Sequence, residues 1–156
     1  MTTLQLILGA VVWLLLTFAA AAFGARFRPD EWYLQLAKPT WTPPGAIFAP
    51  VWTVLYVFMA VAAWLVWKRS GVAGAVVPLA LFICQLALNA AWSWLFFGRH
   101  RPNAAFVDIV ALWVVILATL ISFWQLEPLA GILLIPYLAW VSFATALNWV
   151  IWRMNR

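Results

Sequence analysis

Charge is what this sequence has least of. Only 8% of its 156 residues are charged, 68% are hydrophobic, and the mean hydropathy is +1.02. A soluble domain carries about 25% charged residues to cover its surface. The composition therefore excludes an ordinary soluble fold and indicates a protein that lies in a membrane.

Residues that usually carry chemistry are also scarce. The single cysteine, Cys84, excludes a disulfide or a thiolate metal site within one chain. The only histidine, His100, lies in a loop, so no helix offers a pair of axial haem ligands. Both lysines lie at the ends of apolar segments, which excludes a retinal Schiff base. No phosphate-binding loop or His-Glu-x-x-His motif occurs. The sequence thus predicts no conventional catalytic centre, no metal site and no required cofactor.

The net charge of +5 does not indicate a nucleic-acid partner. The nine lysines and arginines are scattered among short loops. They form no basic face that could follow a phosphate backbone, so we expect no nucleic acid to bind.

Charged residues divide the chain into five apolar segments. Each is long enough to cross ~30 Å of hydrocarbon, which takes about 20 helical residues. We number the predicted helices spans one to five, at about 4–25, 46–67, 75–97, 103–124 and 129–152. Span one could instead be a signal peptide, but no basic region precedes it and its apolar part is long. We therefore predict one all-α integral membrane domain over 1–156, a bundle of five transmembrane helices.

The longest loop, residues 26–45, is predicted to be rigid, and we call it the lid loop. Pro39, Pro43 and Pro44 fix φ and remove amide donors, so no helix passes through them. Asp30 is suited to begin a short helix ahead of these prolines. The sequence therefore predicts a stiff segment with one short helix, which leads directly into span two.

Loop charge predicts the orientation. Seven lysines and arginines lie on the side of the lid loop and the C-terminus, against two on the other side. By the positive-inside rule, the C-terminus and the lid loop are expected in the cytoplasm and the N-terminus outside.

Three spans carry aromatic and amide side chains at helical spacing. These faces comprise Phe48, Trp52, Tyr56, Met59 and Ala63 in span two, Gln85, Asn89, Trp92 and Phe96 in span three, and Tyr137, Trp140, Ala144 and Asn148 in span five. Amides are costly to expose to lipid, so these faces should point inward. They either tie the helices together or line a pocket for a flat, apolar ligand, and the two roles are compatible.

Asp108 is the only acidic residue clearly inside a span. It follows the start of span four, where Pro102 is well placed to open the helix. We expect Asp108 to interact with the helix N-terminus or with Arg99 or Arg101. A role in proton transfer or ligand binding is the alternative.

Several motifs occur in order along the chain. They are Lys38-Pro39-x-Trp41-x-Pro43-Pro44, Trp52-x-x-x-Tyr56, Leu88-Asn89-Ala90-Ala91-Trp92-Ser93, Pro136-Tyr137-Leu138-Ala139-Trp140, Ala144-Thr145-x-Leu147-Asn148 and Trp152-Arg153. In this combination the sequence resembles the translocator protein family, which comprises the tryptophan-rich sensory proteins of bacteria and the mitochondrial peripheral benzodiazepine receptor. The resemblance covers nearly all of the chain. It implies a five-helix bundle in a bacterial cell membrane, paired as a homodimer.

The resemblance also implies a function. Family members bind porphyrins such as protoporphyrin IX, other haem-type tetrapyrroles and benzodiazepine-like hydrophobic ligands in a pocket beneath the first long loop. Such a chain is expected to be a membrane receptor or sensor, with transport as a consequence of binding. The porphyrin is then a ligand and not a cofactor.

Family pocket positions and the aromatic faces together define the candidate site. The ligand-binding candidates are Trp32, Tyr33, Pro43, Pro44, Trp52, Tyr56, Gln85, Asn89, Trp92, Trp140, Phe143 and Ala144. Tryptophans that match Trp52 and Trp140 are associated in bacterial members with light-dependent porphyrin breakdown. Both are therefore catalytic candidates if the chain is a photo-oxidase. A structural or assembly subunit without a ligand is the remaining alternative.

Two further expectations concern the membrane-facing surface. The cholesterol motif of animal members has a tyrosine between leucine and arginine in span five, where this chain has Trp149. This departure argues against tight sterol binding. For the implied dimer, span three offers small residues four apart, at Gly71/Ala75, Ala80/Cys84 and Ala87/Ala91.

Overall fold

The computed structural model describes residues 1–156 and is built of helices alone. The helices are α1 (Thr3–Ala25), α2 (Glu31–Gln35), α3 (Phe48–Gly74), α4 (Val76–Ser93), α5 (Pro102–Leu126) and α6 (Pro128–Met154). A 3₁₀ turn, Gly45–Ile47, precedes α3, and a π-helical turn, Trp94–Gly98, extends α4. Helices α1, α3, α4, α5 and α6 are long and apolar enough to cross a membrane and correspond to spans one to five. The predicted architecture, with a short helix in the lid loop, is confirmed.

Local sequence explains where the helices begin. Thr2 and Gln5 form a reciprocal capping box at the start of α1. The carboxylate of Asp30 accepts a hydrogen bond of 3.2 Å from the amide of Tyr33 and so caps α2. Pro102 and Pro128 open α5 and α6, where a missing amide hydrogen costs nothing.

Span two is longer in the structure than the sequence predicts. Helix α3 continues beyond Trp67 to Gly74, with a single break at Gly71, whose φ is 65° and ψ is 179°. Glycine adopts a positive φ without steric cost, so one residue redirects the chain within the segment between 67 and 75 that was expected to separate spans two and three.

The five spanning helices form a closed ring in the order α1, α3, α6, α5, α4. Helix α3 contributes most to the centre, where Met59, Ala62, Ala63 and Val66 are fully buried. Many large apolar side chains point outward, among them Leu4, Leu15, Val107 and Val114. An apolar exterior around an apolar core is expected of a bundle whose solvent is lipid.

Close packing of α1 against α3 depends on one glycine. A Cβ atom at Gly9 would overlap the indole ring of Trp67. The indole N–H of Trp64, one turn earlier in α3, donates a 3.0 Å hydrogen bond to the carbonyl of Leu6. The small residue allows close approach of the two helices, as is common between membrane helices.

The lid loop is held against the end of the bundle. Ala37 and Asn155, which follows α6, exchange two hydrogen bonds of 2.9 and 2.8 Å between the loop backbone and the Asn155 amide. The Lys38 ammonium donates to the carbonyls of Tyr33 and Leu36 at 2.7 and 3.1 Å. These bonds anchor the lid loop where α4 and α6 end and α5 begins.

Candidate ligand-binding groove

A groove of about 640 Å³ lies between α3 and α6. It is lined by Pro50, Val51, Val54, Leu55, Pro136, Ala139, Trp140 and Phe143. Val54 at its edge is 50% exposed, so the groove opens on the outer, lipid-facing side of the bundle. Its volume and its almost entirely apolar lining suit a flat hydrophobic molecule.

Trp140 is the centre of the aromatic wall. Its ring lies 5.7 Å from Phe48 and from Phe143, and 6.4 Å from Trp52, measured between centroids. The Trp52 and Trp140 rings are nearly perpendicular, at 88°. Two catalytic candidates from the sequence are thus neighbours, but only Trp140 lines the groove, and Trp52 lies behind it.

The lid loop reaches one end of this groove. Trp41 packs edge-on against Phe143, with centroids 5.7 Å apart. Pro43 is half-buried and Pro44 is exposed, and neither lines the groove. Both prolines come before the 3₁₀ turn that leads into α3, so they set the path of the loop beside the groove.

The indole nitrogen of Trp140 is a buried donor without an acceptor. A buried polar group that lacks a partner costs about 1–3 kcal/mol. A bound molecule that brings an oxygen to this N–H would remove that cost. Trp140 therefore offers the groove a flat apolar surface, and a ligand oxygen reaches its covered N–H only when the indole turns.

Three of the candidates instead form a buried hydrogen-bond chain between helices. The Tyr56 hydroxyl donates to Asn89 Oδ1 at 2.7 Å, and Asn89 Nδ2 donates to the Tyr137 hydroxyl at 2.7 Å. The Tyr137 hydroxyl donates to Gln85 Oε1 at 2.8 Å. The chain joins α3, α4 and α6, and none of its members lines the groove. The amides of Gln85 and Asn89 could link helices or contact a ligand. In the structure they link helices.

Trp92 takes part in a second interhelical tie. Its indole N–H donates to Asn148 Oδ1 at 2.9 Å, and Asn148 Nδ2 donates to the carbonyl of Pro102 at 2.9 Å. The Trp92 ring also stacks on Phe96, with centroids 5.1 Å apart. Trp92 therefore links α4, α6 and the start of α5, and it too lies outside the groove lining.

Trp32 and Tyr33 fasten the lid loop to the turn that follows α4. Trp32 stacks on the His100 ring at 4.3 Å and 14°, and Tyr33 packs edge-on against Phe97 at 5.4 Å. Burial raises the pKa of the Tyr33 hydroxyl. Neither side chain lines the groove, so their contacts hold the lid loop and do not form the groove wall.

The other six residues that line the groove were not among the candidates predicted from the sequence. Pro50, Val51, Val54 and Leu55 are ordinary apolar residues of a spanning helix, as are Pro136 and Ala139. Ala144, a candidate, is half-buried one turn beyond Trp140 and does not line the groove. Pro136 and Ala139 belong to the same motif as Trp140, and this motif, with the candidates Trp140 and Phe143, is the signal that pointed to this surface.

One of the interactions expected for Asp108, a contact with Arg99 or Arg101, is absent from the structure. Neither Arg99 nor Arg101 forms a salt bridge with it, and Asp108 Oδ2 is buried without a hydrogen-bond partner. Asp108 lies six residues after Pro102, about 9 Å further along the helix axis at 1.5 Å per residue. The Arg99 guanidinium instead lies 5.8 Å from the ring of Trp94.

The contact between Asp30 and His100 predicts a pH-dependent lid loop. His100 Nε2 donates to Asp30 Oδ2 at 2.7 Å. Desolvation raises the pKa of the Asp30 carboxyl, but hydrogen bonds from Tyr33 and His100 outweigh it, so the pKa is lowered overall. A lowered folded pKa means that ionised Asp30 stabilises the lid loop above about pH 4, and this contribution is lost as the pH falls through the folded pKa.

Hydrogen exchange measures this contribution. Asp30→Ala is expected to speed amide exchange in α2 severalfold at neutral pH and to leave the spanning helices unchanged. His100→Ala keeps the helix cap and should have a smaller effect, whereas Glu31→Ala serves as a neighbouring control. Equal exchange in α2 for Asp30→Ala and the unaltered chain would contradict the assignment.

These features define a class: an integral membrane protein of five spanning helices with a tryptophan-walled groove beside a fastened loop. Residues 5–153 match the model of the TspO/MBR family. The chain is 45% identical to the translocator protein of Homo sapiens, over 85% of this chain and 81% of that protein. It is 42% identical to the tryptophan-rich sensory protein of Cereibacter sphaeroides, over 91% of each, and 40% identical to protein CrtK of Rhodobacter capsulatus, over 87% and 86%. The chain belongs to the TspO/MBR family.

Proposed function

We propose that this protein is a membrane receptor or sensor that binds porphyrins and benzodiazepine-like hydrophobic ligands in the groove between α3 and α6. The observation that carries the proposal is the position of Trp140, a flat groove wall with a buried and unpartnered N–H. The names of the relatives, translocator protein and tryptophan-rich sensory protein, are compatible with this function. Movement of the ligand across the membrane is the consequence we propose for binding.

The chemistry of the groove favours a planar, largely apolar ligand with an oxygen at its edge. Trp140 and Phe143 offer ring surfaces that a macrocycle or a fused ring system can cover. A carbonyl or carboxylate oxygen at the ligand edge would accept from Trp140 Nε1 once the indole turns and uncovers this N–H. The groove holds no charged residue, so recognition depends on shape, stacking and this one hydrogen bond.

The other candidates support the groove from a distance. The chain of Tyr56, Asn89 and Tyr137 keeps α3, α4 and α6 in register. The contacts of Trp32 and Tyr33 hold the lid loop, which places Trp41 against the groove. A loop ordered before binding loses less entropy when a ligand arrives, so the prolines favour affinity.

A fluorescence titration tests the proposal. Protoporphyrin IX added to the purified protein in detergent is expected to quench tryptophan emission along a saturating curve. The Trp124→Phe variant, which changes an exposed indole at the opposite end of the bundle, should saturate at the same ligand concentration. Linear quenching without saturation up to tens of micromolar would contradict binding and leave the assembly-subunit alternative.

A porphyrin-degrading photo-oxidase is the second candidate function. It is favoured by the perpendicular pair of Trp52 and Trp140 beside the groove, because indoles near an excited macrocycle are open to oxidation. Illumination with dioxygen should then consume protoporphyrin IX, and Trp52→Phe or Trp140→Phe should slow that loss. Unchanged loss in both variants would rule out this activity.

We further propose the orientation and the pairing of the chain. The excess of positive charge at the lid-loop end places that end and the C-terminus in the cytoplasm, in a bacterial cell membrane. Ala80, Cys84 and Ala87 are exposed on α4, so they are available to pack against a second copy of the chain. Ala75 is buried, so the Gly71/Ala75 pair is not available for this contact. Oxidative cross-linking through Cys84 tests the homodimer, and a reporter fused to the C-terminus tests the orientation.

A further inference from the structure

A second cavity, of about 400 Å³, lies at the end of the bundle opposite the lid loop. It is lined by Leu65, Lys68, Arg69 and Glu127. These include every charged side chain in the sequence near that end of the helices, since the other loops and the C-terminus lie at the lid-loop end. Two cations and one anion are therefore gathered around one opening, in a protein that has little charge.

The charged side chains around this cavity form no ion pair with one another. The only ion pair within 4.0 Å in the chain joins Asp30 and His100 at the other end. The Lys68 ammonium lies 5.1 Å from the ring of Trp64, whose own N–H is bonded to Leu6. Lys68 is thus held by a fixed indole, and its charge remains available to a partner from outside.

Helix length places the expected level of this cavity at the depth of the lipid head groups. Lys68 follows Phe48 at the start of α3 by 20 residues, which is about 30 Å of helix and matches the thickness of the hydrocarbon core. Leu65 is almost one turn deeper and offers an apolar surface. Tryptophan and basic side chains at such a level are typical of contacts with phospholipid head groups.

We propose that this cavity binds the head group of a phospholipid that carries a primary ammonium next to its phosphate. Lys68 and Arg69 would hold the phosphate, and Glu127 would accept hydrogen bonds from the ammonium. The glycerol and the first acyl carbons would lie against Leu65. The presence of both signs of charge around one opening explains the choice, because each charge of the zwitterionic head group then meets its opposite.

Other common head groups fit this pattern less well. A glycerol head group brings no cation, so Glu127 would be left facing the phosphate without a partner. A choline head group has the right charges, but its trimethylated nitrogen has no N–H to donate to a carboxylate. The site therefore predicts a ranking of lipids and not merely attraction to negative charge.

Lipid retention measured by native mass spectrometry tests the site. The full-length protein in detergent is titrated with phosphatidylethanolamine, phosphatidylglycerol or phosphatidylcholine of the same acyl chains. Phosphatidylethanolamine is expected to bind tightest. Each of Lys68→Gln and Arg69→Gln should weaken it about fivefold, the effect of about 1 kcal/mol per basic residue near a membrane surface. Glu127→Gln should abolish its advantage over phosphatidylglycerol.

Controls separate this site from general charge and from folding. Arg26→Gln and Arg28→Gln remove exposed cations at the lid-loop end and should leave retention unchanged. Each variant must melt at the temperature of the unaltered protein in lipid-free detergent. Soluble phosphoethanolamine as competitor distinguishes head-group recognition from acyl-chain burial, and displacement of the lipid by it supports the site. Equal retention of all three lipids, or equal losses in the cavity and control variants, would overturn the proposal.

Discussion

Trp140→Ala is expected to weaken protoporphyrin IX binding about 30-fold, which corresponds to about 2 kcal/mol. The substitution removes the largest flat surface of the groove and its buried N–H donor. Fluorescence titration measures the loss. Trp149→Ala, which removes an exposed indole further along the same helix, is the matched control and should leave the affinity unchanged.

Trp140→Phe separates the two contributions of this side chain. Phenylalanine keeps an aromatic face but has no donor, so an intermediate loss is expected if a ligand oxygen accepts from Nε1. Full affinity in Trp140→Phe would assign recognition to stacking alone. An equal loss in Trp140→Ala and Trp149→Ala would show that the groove between α3 and α6 is not the binding site.

Asn89→Leu is expected to lower the stability of the bundle by about 2 kcal/mol. Leucine has a similar size, but it leaves the Tyr56 hydroxyl without an acceptor and the Tyr137 hydroxyl without its incoming donor. The melting temperature in detergent measures the change. Asn103→Leu, at an exposed position near the start of α5, should have little effect.

A double substitution identifies the cause of that loss. Tyr56→Phe together with Asn89→Leu removes both partners of one hydrogen bond, so its cost should be less than the sum of the single costs. Below its melting temperature, Asn89→Leu should retain ligand affinity within about twofold, since Asn89 does not line the groove. A large loss of affinity in the folded variant would indicate that Asn89 contacts the ligand, as the sequence predicted.

The predicted inward faces and the observed groove differ for a geometric reason. Spacing along one helix places Gln85, Asn89 and Trp92 toward the bundle interior, and the structure shows all three at interhelical contacts. Whether an inward side chain meets a ligand or another helix depends on what lies opposite. Tyr137 stands opposite Asn89 and takes up its hydrogen-bonding capacity, and no pattern within α4 indicates this.

The boundaries of the spans also include some that the sequence predicts and some that it does not. Pro102 opens α5 as its sequence indicates, because a proline ring fits the first helical turn and no later one. The residues 71–74 have the composition of a turn, but only Gly71 leaves helical geometry. The composition of these residues does not indicate how many of them leave the helix.

The sequence alone determined that this is a five-span helical membrane protein whose long first loop contains a short helix. That inference holds because lipid cannot satisfy a backbone hydrogen bond, so each long apolar run must be helical. The packing of the helices places Trp140 and Phe143 in the groove lining, whereas Tyr56, Gln85, Asn89 and Trp92 form hydrogen bonds to other helices, and the sequence did not reveal this difference. The physical reason is that each hydrogen-bond partner comes from a different helix, and the ring order α1, α3, α6, α5, α4 sets which helices meet.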